Sequence, residues 1–323
     1  TYQVPALMMS GLTIVVSPLI SLMKDQVDKL LGLGIKASLI NSSQTEKQSR
    51  DALSELVRGE TKIVFISPER FNNQDFNKAI SGLHVSLFVV DESHCISKWG
   101  HDFRPAYTSL GKAIREVNPE RVLALTATAT TVVENDICES LGIEEGKRFI
   151  RGVYRPNLQL AMIGGLGRRR YDAISLVVSQ YKEEGNPTGI IYAPTRRETE
   201  SICETLKNDG HLVTFYHAGL KSKERTRIQS QWSENGGTIV ATCAFGMGID
   251  KPDVRFVIHS GLSPSVEDWY QEVGRAGRDG EESTCISFWD NYDYEKQMFL
   301  ISQTLGNPED VTVFWMWISN LAK

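Results

Sequence analysis

Two adjacent acids, Asp91 and Glu92, stand directly after a short apolar run at residues 87–90. Such a run predicts a buried strand of a parallel sheet, and ligands of open parallel sheets lie beyond the carboxyl ends of the strands. Acids at that position can divide the work of nucleotide hydrolysis. Asp91 would hold Mg²⁺, and Glu92 would orient and deprotonate the attacking water. Because Asp-Glu pairs are common, an ordinary polar strand end is the alternative for this pair taken alone.

A pair of arginines in the second half of the chain could act on the same phosphates. Arg275 and Arg278 lie in the glycine-rich segment 271–280, on one face of a predicted helical turn. Guanidinium groups match the charge that spreads over phosphate oxygens during transfer. An arginine that acts in this way can contribute about 10³–10⁵ in rate. The alternative is a surface pair of arginines that forms ion pairs with Glu272 and Asp279.

The elements that must position these residues alternate between strands and helices. Predicted strands lie at residues 12–16, 62–66, 87–90, 121–125, 189–192, 212–215, 238–241, 255–259 and 284–288. Predicted helices lie at residues 20–31, 44–57, 107–117, 197–208 and 222–232. This alternation predicts an α/β fold of mostly parallel sheets flanked by helices.

The segment Arg155-Pro156-Asn157 interrupts the alternation of strands and helices and divides the chain into two halves. Residues 164–170, which follow this break, are predicted to form an exposed turn. The acids and the arginines lie in different halves, so a shared site would assemble when the halves close on ATP.

The composition of the 323 residues, with 41% hydrophobic and 23% charged, predicts a folded soluble protein of two domains. No apolar run approaches the roughly 20 residues of a membrane span, and no export signal is visible. The five cysteines are too far apart for a metal knuckle and are expected to be buried, reduced thiols of an intracellular protein. A net charge of −5 argues against coating of nucleic acid by bulk attraction, but it is compatible with a local basic channel.

The segment that follows the acidic pair carries a resemblance to a known family. Residues 95–105, Cys-Ile-Ser-Lys-Trp-Gly-His-Asp-Phe-Arg-Pro, resemble the aromatic-rich loop that marks the RecQ family within helicase superfamily two. The match runs from residues 2–7 to about residue 288. It implies two RecA-like domains, 1–152 (truncated at its N-terminus) and 153–290, followed by a helical tail, 291–323, that would begin a zinc-binding module.

The same resemblance implies an activity and its partners. The expected activity is ATP- and Mg²⁺-dependent unwinding of duplex DNA in the 3′ to 5′ direction, in replication, recombination and repair. The expected partners are single-stranded DNA, duplex junctions and genome-maintenance proteins, without a membrane. The protein would reside in the nucleus if its source is eukaryotic and in the cytoplasm otherwise. Two alternatives stay open: an RNA helicase of the same superfamily, and a non-catalytic DNA-binding module.

Roles for single residues also follow from the resemblance. The expected catalytic residues are Asp91, Glu92, His94, Arg275 and Arg278, with Arg278 the better candidate for the arginine finger. The expected nucleotide-binding residues are Gly248, Asp250 and Gln271. The expected DNA-binding residues are Ser17, Pro18, Ser67, Trp99, His101, Phe103, Arg104, Thr126, Thr128 and His217. Hydroxyls and backbone amides among them are natural phosphate ligands, and the threonine hydroxyls would link the nucleotide site to the DNA groove.

Several of these residues keep a structural alternative. Trp99 and Phe103 would stack on bases, a contact worth ~1–3 kcal/mol per base, or would be core residues that hold the loop. Arg104 would contact phosphate or Glu92, or would form a structural ion pair. His94 is expected to be a hydrogen-bond link to the second domain rather than a general base. His101 would act similarly or be a structural histidine.

One family motif is missing from the sequence. No Gly-x-x-x-x-Gly-Lys-Ser/Thr phosphate loop occurs in the chain, although the resemblance places it a few residues before Thr1. A truncation is the expected reason, because the family match begins at Tyr2. As given, the chain is expected to bind ATP poorly and to be inactive. Zinc is expected only in the full-length protein, since the chain offers no zinc site.

Overall fold

The computed structural model describes residues 1–42, 44–98, 102–150, 152, 154–185, 188–246 and 249–304. They belong to two compact units, Thr1–Ile150 and Arg151–Lys323. Each unit is a parallel sheet flanked by helices, which confirms the predicted α/β fold. No helix among these residues is long and apolar enough to cross a membrane. The segment 305–323, with its aromatic run at 314–317, lies outside the described residues.

The first unit has a five-stranded sheet in the order β2-β3-β1-β4-β5. Its strands are β1 (Leu12–Val16), β2 (Ala37–Ile40), β3 (Ile63–Ile66), β4 (Val85–Val90) and β5 (Val122–Ala124). Strand β1 pairs in parallel with β3 on one side and with β4 on the other. Every residue of β1, β3 and β4 is buried, as expected of strands covered on both faces. The segments that follow these strands therefore meet at one edge of the sheet.

In the described part of this unit, the sheet is flanked by six α-helices: α1 (Gln3–Met8), α2 (Ile20–Gly32), α3 (Glu46–Val57), α4 (Gln74–Ser81), α5 (Leu110–Val117) and α6 (Thr131–Leu141). Short 3-10 turns occupy Pro68–Asn72, Ser93–Ile96 and Pro105–Ser109. Helix α3 begins two residues later than predicted, because Thr45 and Gln48 form a reciprocal capping box at its N-terminus. The helix predicted from residue 107 begins at Leu110, because the 3-10 turn that starts at Pro105 precedes it.

The second unit has a six-stranded sheet in the order β6-β11-β10-β7-β9-β8. Its strands are β6 (Leu158–Gly164), β7 (Gly189–Tyr192), β8 (Val213–Tyr216), β9 (Thr238–Ala241), β10 (Phe256–His259) and β11 (Ser283–Trp289). Two strands were not predicted, β2 in the first unit and β6 here. Both lie at a sheet edge, and five of the seven residues of β6 are exposed. The edge position alone does not explain why they were missed, because the other two edge strands, β5 and β8, were predicted.

The helices of the second unit are α7 (Arg170–Glu183), α8 (Arg196–Asn208), α9 (Ser222–Asn235), α10 (Val266–Val273) and α11 (Asn291–Thr304). The predicted exposed turn at 164–170 is wrong for Arg170, which begins α7 and is buried. Its guanidinium donates to the carboxylates of Asp290 and Asp293 and so fixes the start of α11. Of the cysteines expected to be buried, Cys243 is exposed.

Candidate functional site

The acidic pair lies directly at the carboxyl end of β4. The amide of Asp91 donates to the Val16 carbonyl at 2.9 Å, so the pair stays in register with β1. Glu92 has φ 48° and ψ 46°, a left-handed conformation that is unfavourable for a residue with a side chain. Its amide donates to Oδ1 of Asp91 at 3.1 Å. Backbone strain of this kind is concentrated at functional sites, where surrounding contacts maintain it.

The Asp91 carboxylate has the properties of a cation ligand. Burial raises its pKa, because removal from water penalises the charged form, while the hydrogen bond from the Glu92 amide lowers it. A divalent cation would stabilise this carboxylate against the cost of burial. Mg²⁺ is usually held by one or two carboxylates together with water and phosphate oxygens. The Asp91 site therefore fits Mg²⁺ bound with a nucleotide.

The side chain of Tyr107 holds the backbone of the acidic pair. Its hydroxyl donates to the carbonyl of Asp91 at 3.0 Å, and its side chain is almost completely buried. The segment that follows β5 holds the next residue, because the Ser93 amide donates to the Leu125 carbonyl at 2.8 Å. Glu92 therefore lies between two fixed backbone positions, which is how its left-handed conformation is maintained.

Tyr107→Phe should lower the free energy of unfolding of the first unit by about 1–3 kcal/mol, because the phenyl ring fills the same space but leaves the buried carbonyl without a donor. Urea denaturation of the chain measures this change. Thr108→Val is the matched control, since Thr108 is exposed and its hydroxyl donates to the Pro105 carbonyl, which can accept from water instead. Equal stability of the two variants would show that the Tyr107 hydroxyl does not support the acidic pair.

His94 connects the acidic pair to the loop after β5. Its Nδ1 atom lies 2.9 Å from Oγ1 of Thr126 and 3.5 Å from Oε2 of Glu92, and the ring is buried. Oγ1 of Thr126 in turn accepts from the Thr128 amide at 3.1 Å. These contacts form one path from Glu92 to Thr126 and Thr128, whose hydroxyls are predicted to link the nucleotide site to the DNA groove. They lie within the first unit, and the expected link from His94 to the second domain stays a prediction.

Several buried hydroxyls near this edge of the sheet, that of Ser93 among them, have no hydrogen-bond partner among the described residues. Oγ of Ser17, Oγ of Ser67 and Oγ1 of Thr128 are buried and have no hydrogen bond among the described residues. Ser17 follows β1 and Ser67 follows β3, so both lie on the side of the sheet that carries Asp91. A buried hydroxyl without a partner costs about 1–3 kcal/mol. A ligand oxygen, such as that of a phosphate, would satisfy these groups.

The described part of the aromatic-rich loop is held by Arg104. Its Nε and Nη2 atoms donate to Oδ2 of Asp102 at 3.0 and 2.8 Å, and its Nη1 donates to the carbonyl of Pro18 at 3.2 Å. Arg104 thus joins the loop to the segment after β1. Phe103 is half-buried. Trp99 and His101, both predicted DNA-binding residues, lie outside the described residues.

One group of possible metal ligands occurs among the described residues. Ligand atoms of His94, Cys95 and Asp102 all lie within 4.8 Å of one another. Burial, and then the nearby Asp102 carboxylate, raise the pKa of the Cys95 thiol to about 12, so the thiolate that a metal requires is disfavoured. The Arg104 guanidinium also occupies the Asp102 carboxylate. The group fits a hydrogen-bonded cluster better than a cation site.

In the second unit, the arginine pair follows α10 and reaches one loop. The guanidinium of Arg275 donates to the carbonyl of Gly246. Nη1 of Arg278 donates to the Ile249 carbonyl and to Oδ1 of Asp250, both at 3.1 Å. Both contacts lie in the segment after β9, where the sequence predicts nucleotide-binding residues. Of those, Gln271 is half-buried on α10, whereas Gly248 lies outside the described residues.

Among the described residues, the side chains of Glu272 and Asp279 have hydrogen-bond partners other than Arg275 and Arg278. Glu272 is buried and bonds to His259 and Ser263. Asp279 accepts from Nη2 of Arg255 at 2.6 and 2.7 Å, and this hydrogen bonding lowers the pKa of its carboxyl. The alternative of a surface arginine pair that answers Glu272 and Asp279 is therefore wrong. The acids have separate structural partners.

His217, predicted to bind DNA, follows β8 in the second unit. Its ring is buried, stacks on Phe215 with centroids 5.5 Å apart, and places Nε2 2.9 Å from Oε1 of Glu200. Its Nδ1 atom has no hydrogen bond among the described residues. A buried ring nitrogen without a protein partner is compatible with a ligand contact.

Some residues that shape the site carried no signal in the sequence. Tyr107 fell within a predicted helix, and His259 within a predicted strand. Arg155 fell at the predicted break, yet its guanidinium donates to the carbonyls of Gly274 and Gly277. It thereby holds the turn at residues 274–278 that carries Arg275 and Arg278, here called the arginine turn. Their roles depend on contacts between distant parts of the chain, which local patterns do not encode.

Comparison of this sequence and structure with known proteins identifies the class of protein to which the chain belongs. Residues 1–135 match the DEAD/DEAH box helicase family, and residues 171–280 match the helicase conserved C-terminal domain. The structure resembles Mycobacterium smegmatis helicase Lhr bound to ssDNA and AMP-PNP (TM-score 0.66, 18% identity, 90% of this chain and 42% of that chain). It also resembles S. cerevisiae Dbp5 bound to RNA and ADP BeF3 (TM-score 0.66, 18% identity, 97% and 82%). The two units thus have the RecA-like fold of helicases.

Sequence similarity narrows this class to one family. The chain is 42% identical over 306 residues to the ATP-dependent DNA helicase RecQ of Bacillus subtilis (strain 168), which covers 94% of this chain and 51% of that relative. The chain belongs to the RecQ family of helicase superfamily two, as the residues around the aromatic-rich loop predicted. It spans about half the length of the curated relatives that it matches.

Proposed function

We propose that this chain is the motor core of a DNA helicase that couples ATP hydrolysis to the separation of DNA strands. The observation that carries the proposal is the hydrogen bond between His94 and Thr126. It connects the acidic pair, the candidate hydrolytic site, with the loop that carries the unpartnered hydroxyl of Thr128. A motor needs such a connection, because hydrolysis must change the grip on the nucleic acid.

In the proposed chemistry, each residue of the nucleotide site has a separate task. Mg²⁺ bound through Asp91 would neutralise charge on the phosphate oxygens. Glu92, close to His94, orients the attacking water and accepts its proton. Arg275 and Arg278 stabilise the charge that develops on the transferred phosphoryl group. Gly248, Asp250 and Gln271 border the nucleotide.

The proposed DNA contacts use three of the buried hydroxyls that have no hydrogen-bond partner among the described residues. Ser17, Ser67 and Thr128 donate to the backbone phosphates of one strand, a mode of contact that is independent of base sequence. The loop at Pro18, which Arg104 ties to the aromatic-rich loop, adds backbone contacts. In that loop, Trp99 and Phe103 stack on bases, so that DNA binding can act on the adjacent acidic pair. His101, Arg104, Thr126 and His217 complete the proposed contacts.

The choice of DNA rests on the family, whose relatives carry the name DNA helicase. Movement from 3′ to 5′, a part in replication, recombination and repair, and binding to other genome-maintenance proteins belong to the same proposal. An RNA helicase is the second candidate, because the similar fold of Dbp5 was solved with RNA bound. The two candidates make different predictions about substrates.

Unwinding by the gene-extended protein, which is the chain expressed together with any coding sequence that precedes it in its gene, tests the proposal. We expect ATP- and Mg²⁺-dependent separation of a DNA duplex with a 3′ single-stranded tail, and little separation of one with a 5′ tail or of the matching RNA duplex. Strand separation is measured with fluorescently labelled oligonucleotides. Unwinding of the RNA duplex alone would favour the second candidate. Absence of unwinding and of DNA-stimulated ATPase activity in the extended protein would overturn the proposal.

A further inference from the structure

A chain of hydrogen bonds, partly buried at Trp269 and buried beyond it, runs through the second unit and ends beside the arginine pair. The indole Nε1 of Trp269 lies 2.9 Å from Oγ of Ser287, which lies 3.2 Å from Nδ1 of His259. Nε2 of His259 lies 3.0 Å from Oε2 of Glu272. Because an indole nitrogen only donates, Ser287 accepts from Trp269, and the ring of His259 lies between Ser287 and Glu272. Because a carboxylate oxygen only accepts, Nε2 of His259 donates to Glu272.

Glu272 is the point at which this chain meets the arginine turn. Its Oε2 also accepts from the Ser263 hydroxyl at 2.9 Å, and only 7% of the residue is exposed. Its backbone carbonyl accepts from the Arg275 amide at 3.3 Å. One residue therefore binds β10 through its side chain and the arginine turn through its backbone.

The arginine turn is also held on its other side. Nη1 of Arg155 donates to the carbonyl of Gly274 at 3.1 Å, and Nδ2 of Asn157 donates to the carbonyl of Gly277 at 2.8 Å. Gly277 has φ 53°, so the chain reverses there in a conformation that favours glycine. With Glu272 on one side and Arg155 on the other, the position from which the two guanidiniums project is fixed.

A buried carboxylate is costly unless hydrogen bonds compensate for its lost hydration, and an apolar residue is often at least as stable in its place. Glu272 could have been replaced by such a residue if its only task were to fill the core below α10. Its two hydrogen bonds instead set the rotation of the last turn of α10 relative to β10. A small error in that rotation would displace both guanidiniums.

We propose that Glu272 is a positioning residue that, through His259 and Ser263, sets the arginine turn for phosphoryl transfer. The inference rests on the proposed function, since it assumes that Arg275 and Arg278 act on the nucleotide. Because both hydrogen bonds end on the same oxygen, the amide oxygen of glutamine can accept both. The role therefore depends on an acceptor at this position and not on the negative charge.

Glu272→Ala and Glu272→Gln in the gene-extended protein separate positioning from stability. We expect Glu272→Ala to lower the kcat of DNA-stimulated ATP hydrolysis on the order of 10²-fold, the cost of a displacement of about 1 Å, with little change in the KM for ATP. Glu272→Gln should restore most of the kcat. Turnover is normalised to the folded fraction, which is measured by near-ultraviolet circular dichroism.

Tyr181→Phe is the control, because it removes a hydrogen bond of 2.8 Å to Thr284 on β11 that touches neither α10 nor the arginine turn. It should leave kcat unchanged. If Glu272→Ala lowers stability but keeps the kcat of the folded fraction, or if Glu272→Gln is as slow as Glu272→Ala, the positioning role is refuted. If the unaltered protein hydrolyses ATP but Arg275→Ala and Arg278→Ala do so equally well, the proposed function of the arginines fails instead.

Discussion

Glu92→Gln should abolish ATP hydrolysis and DNA unwinding while ATP binding is retained. The amide has the same shape as the carboxylate, so the left-handed backbone held by Tyr107 and the strand pairing of β4 should persist. It cannot accept a proton from the attacking water at neutral pH. Loss of a general base typically lowers the rate about 10²–10⁴-fold, and unwinding should fall with it.

Two measurements on the gene-extended protein check this result. Phosphate release in the presence of single-stranded DNA reports hydrolysis, and titration with a fluorescent ATP analogue reports binding. Glu144→Gln is a suitable control, because Glu144 is an exposed glutamate of the same unit. Near-normal turnover of Glu92→Gln would remove Glu92 from its proposed role. Loss of both binding and turnover would indicate that the carboxylate holds the site together and does not act as a base.

The central strands could be predicted from the sequence because strands that are buried on both faces consist almost entirely of apolar residues. Strand β1 was predicted with its observed bounds, since every residue from Leu12 to Val16 is buried and all but Thr13 are apolar. Strands β2 and β6 were missed for the converse reason. Half of β2 is only partly buried, and β6 exposes Leu160 and Ile163 at the sheet edge. Partial burial is not a complete explanation, because the edge strand β5 was predicted although none of its residues is buried.

The candidate site was predictable to the extent that its residues are contiguous in the chain. Asp91 and Glu92 follow a recognisable strand, and the arginine pair has its own local pattern. Tyr107, His259 and Arg155 were missed, because each acts on a backbone or side chain far away in sequence. Arg155 and Gly274, for example, are 119 residues apart. Such contacts require the strand order, which the sequence pattern did not provide.

The exposed surroundings of Arg278 allow its proposed catalytic role to be tested separately from any effect on stability. Its guanidinium reaches Asp250 in an ion pair whose side chains are 37% and 54% exposed. Exposed pairs of this kind contribute about 0–1 kcal/mol to stability. Arg275 is different, because it is half-buried and a side chain at Gly246 would collide with its guanidinium. Arg278 is thus the arginine whose removal should affect chemistry far more than folding.

Arg278→Ala should lower the kcat of DNA-stimulated ATP hydrolysis about 10³-fold or more, the scale of a lost arginine finger, with at most about 1 kcal/mol lost in stability. Arg278→Lys should be nearly as slow, because an ammonium group keeps the charge but cannot bind two phosphate oxygens in a planar fork. Steady-state kinetics and urea denaturation of the gene-extended protein measure the two effects. Arg227→Ala, which removes an exposed arginine of α9, should change neither. If Arg278→Ala kept its turnover, the charge on the transferred phosphoryl group would have to be stabilised by other residues, Arg275 first among them.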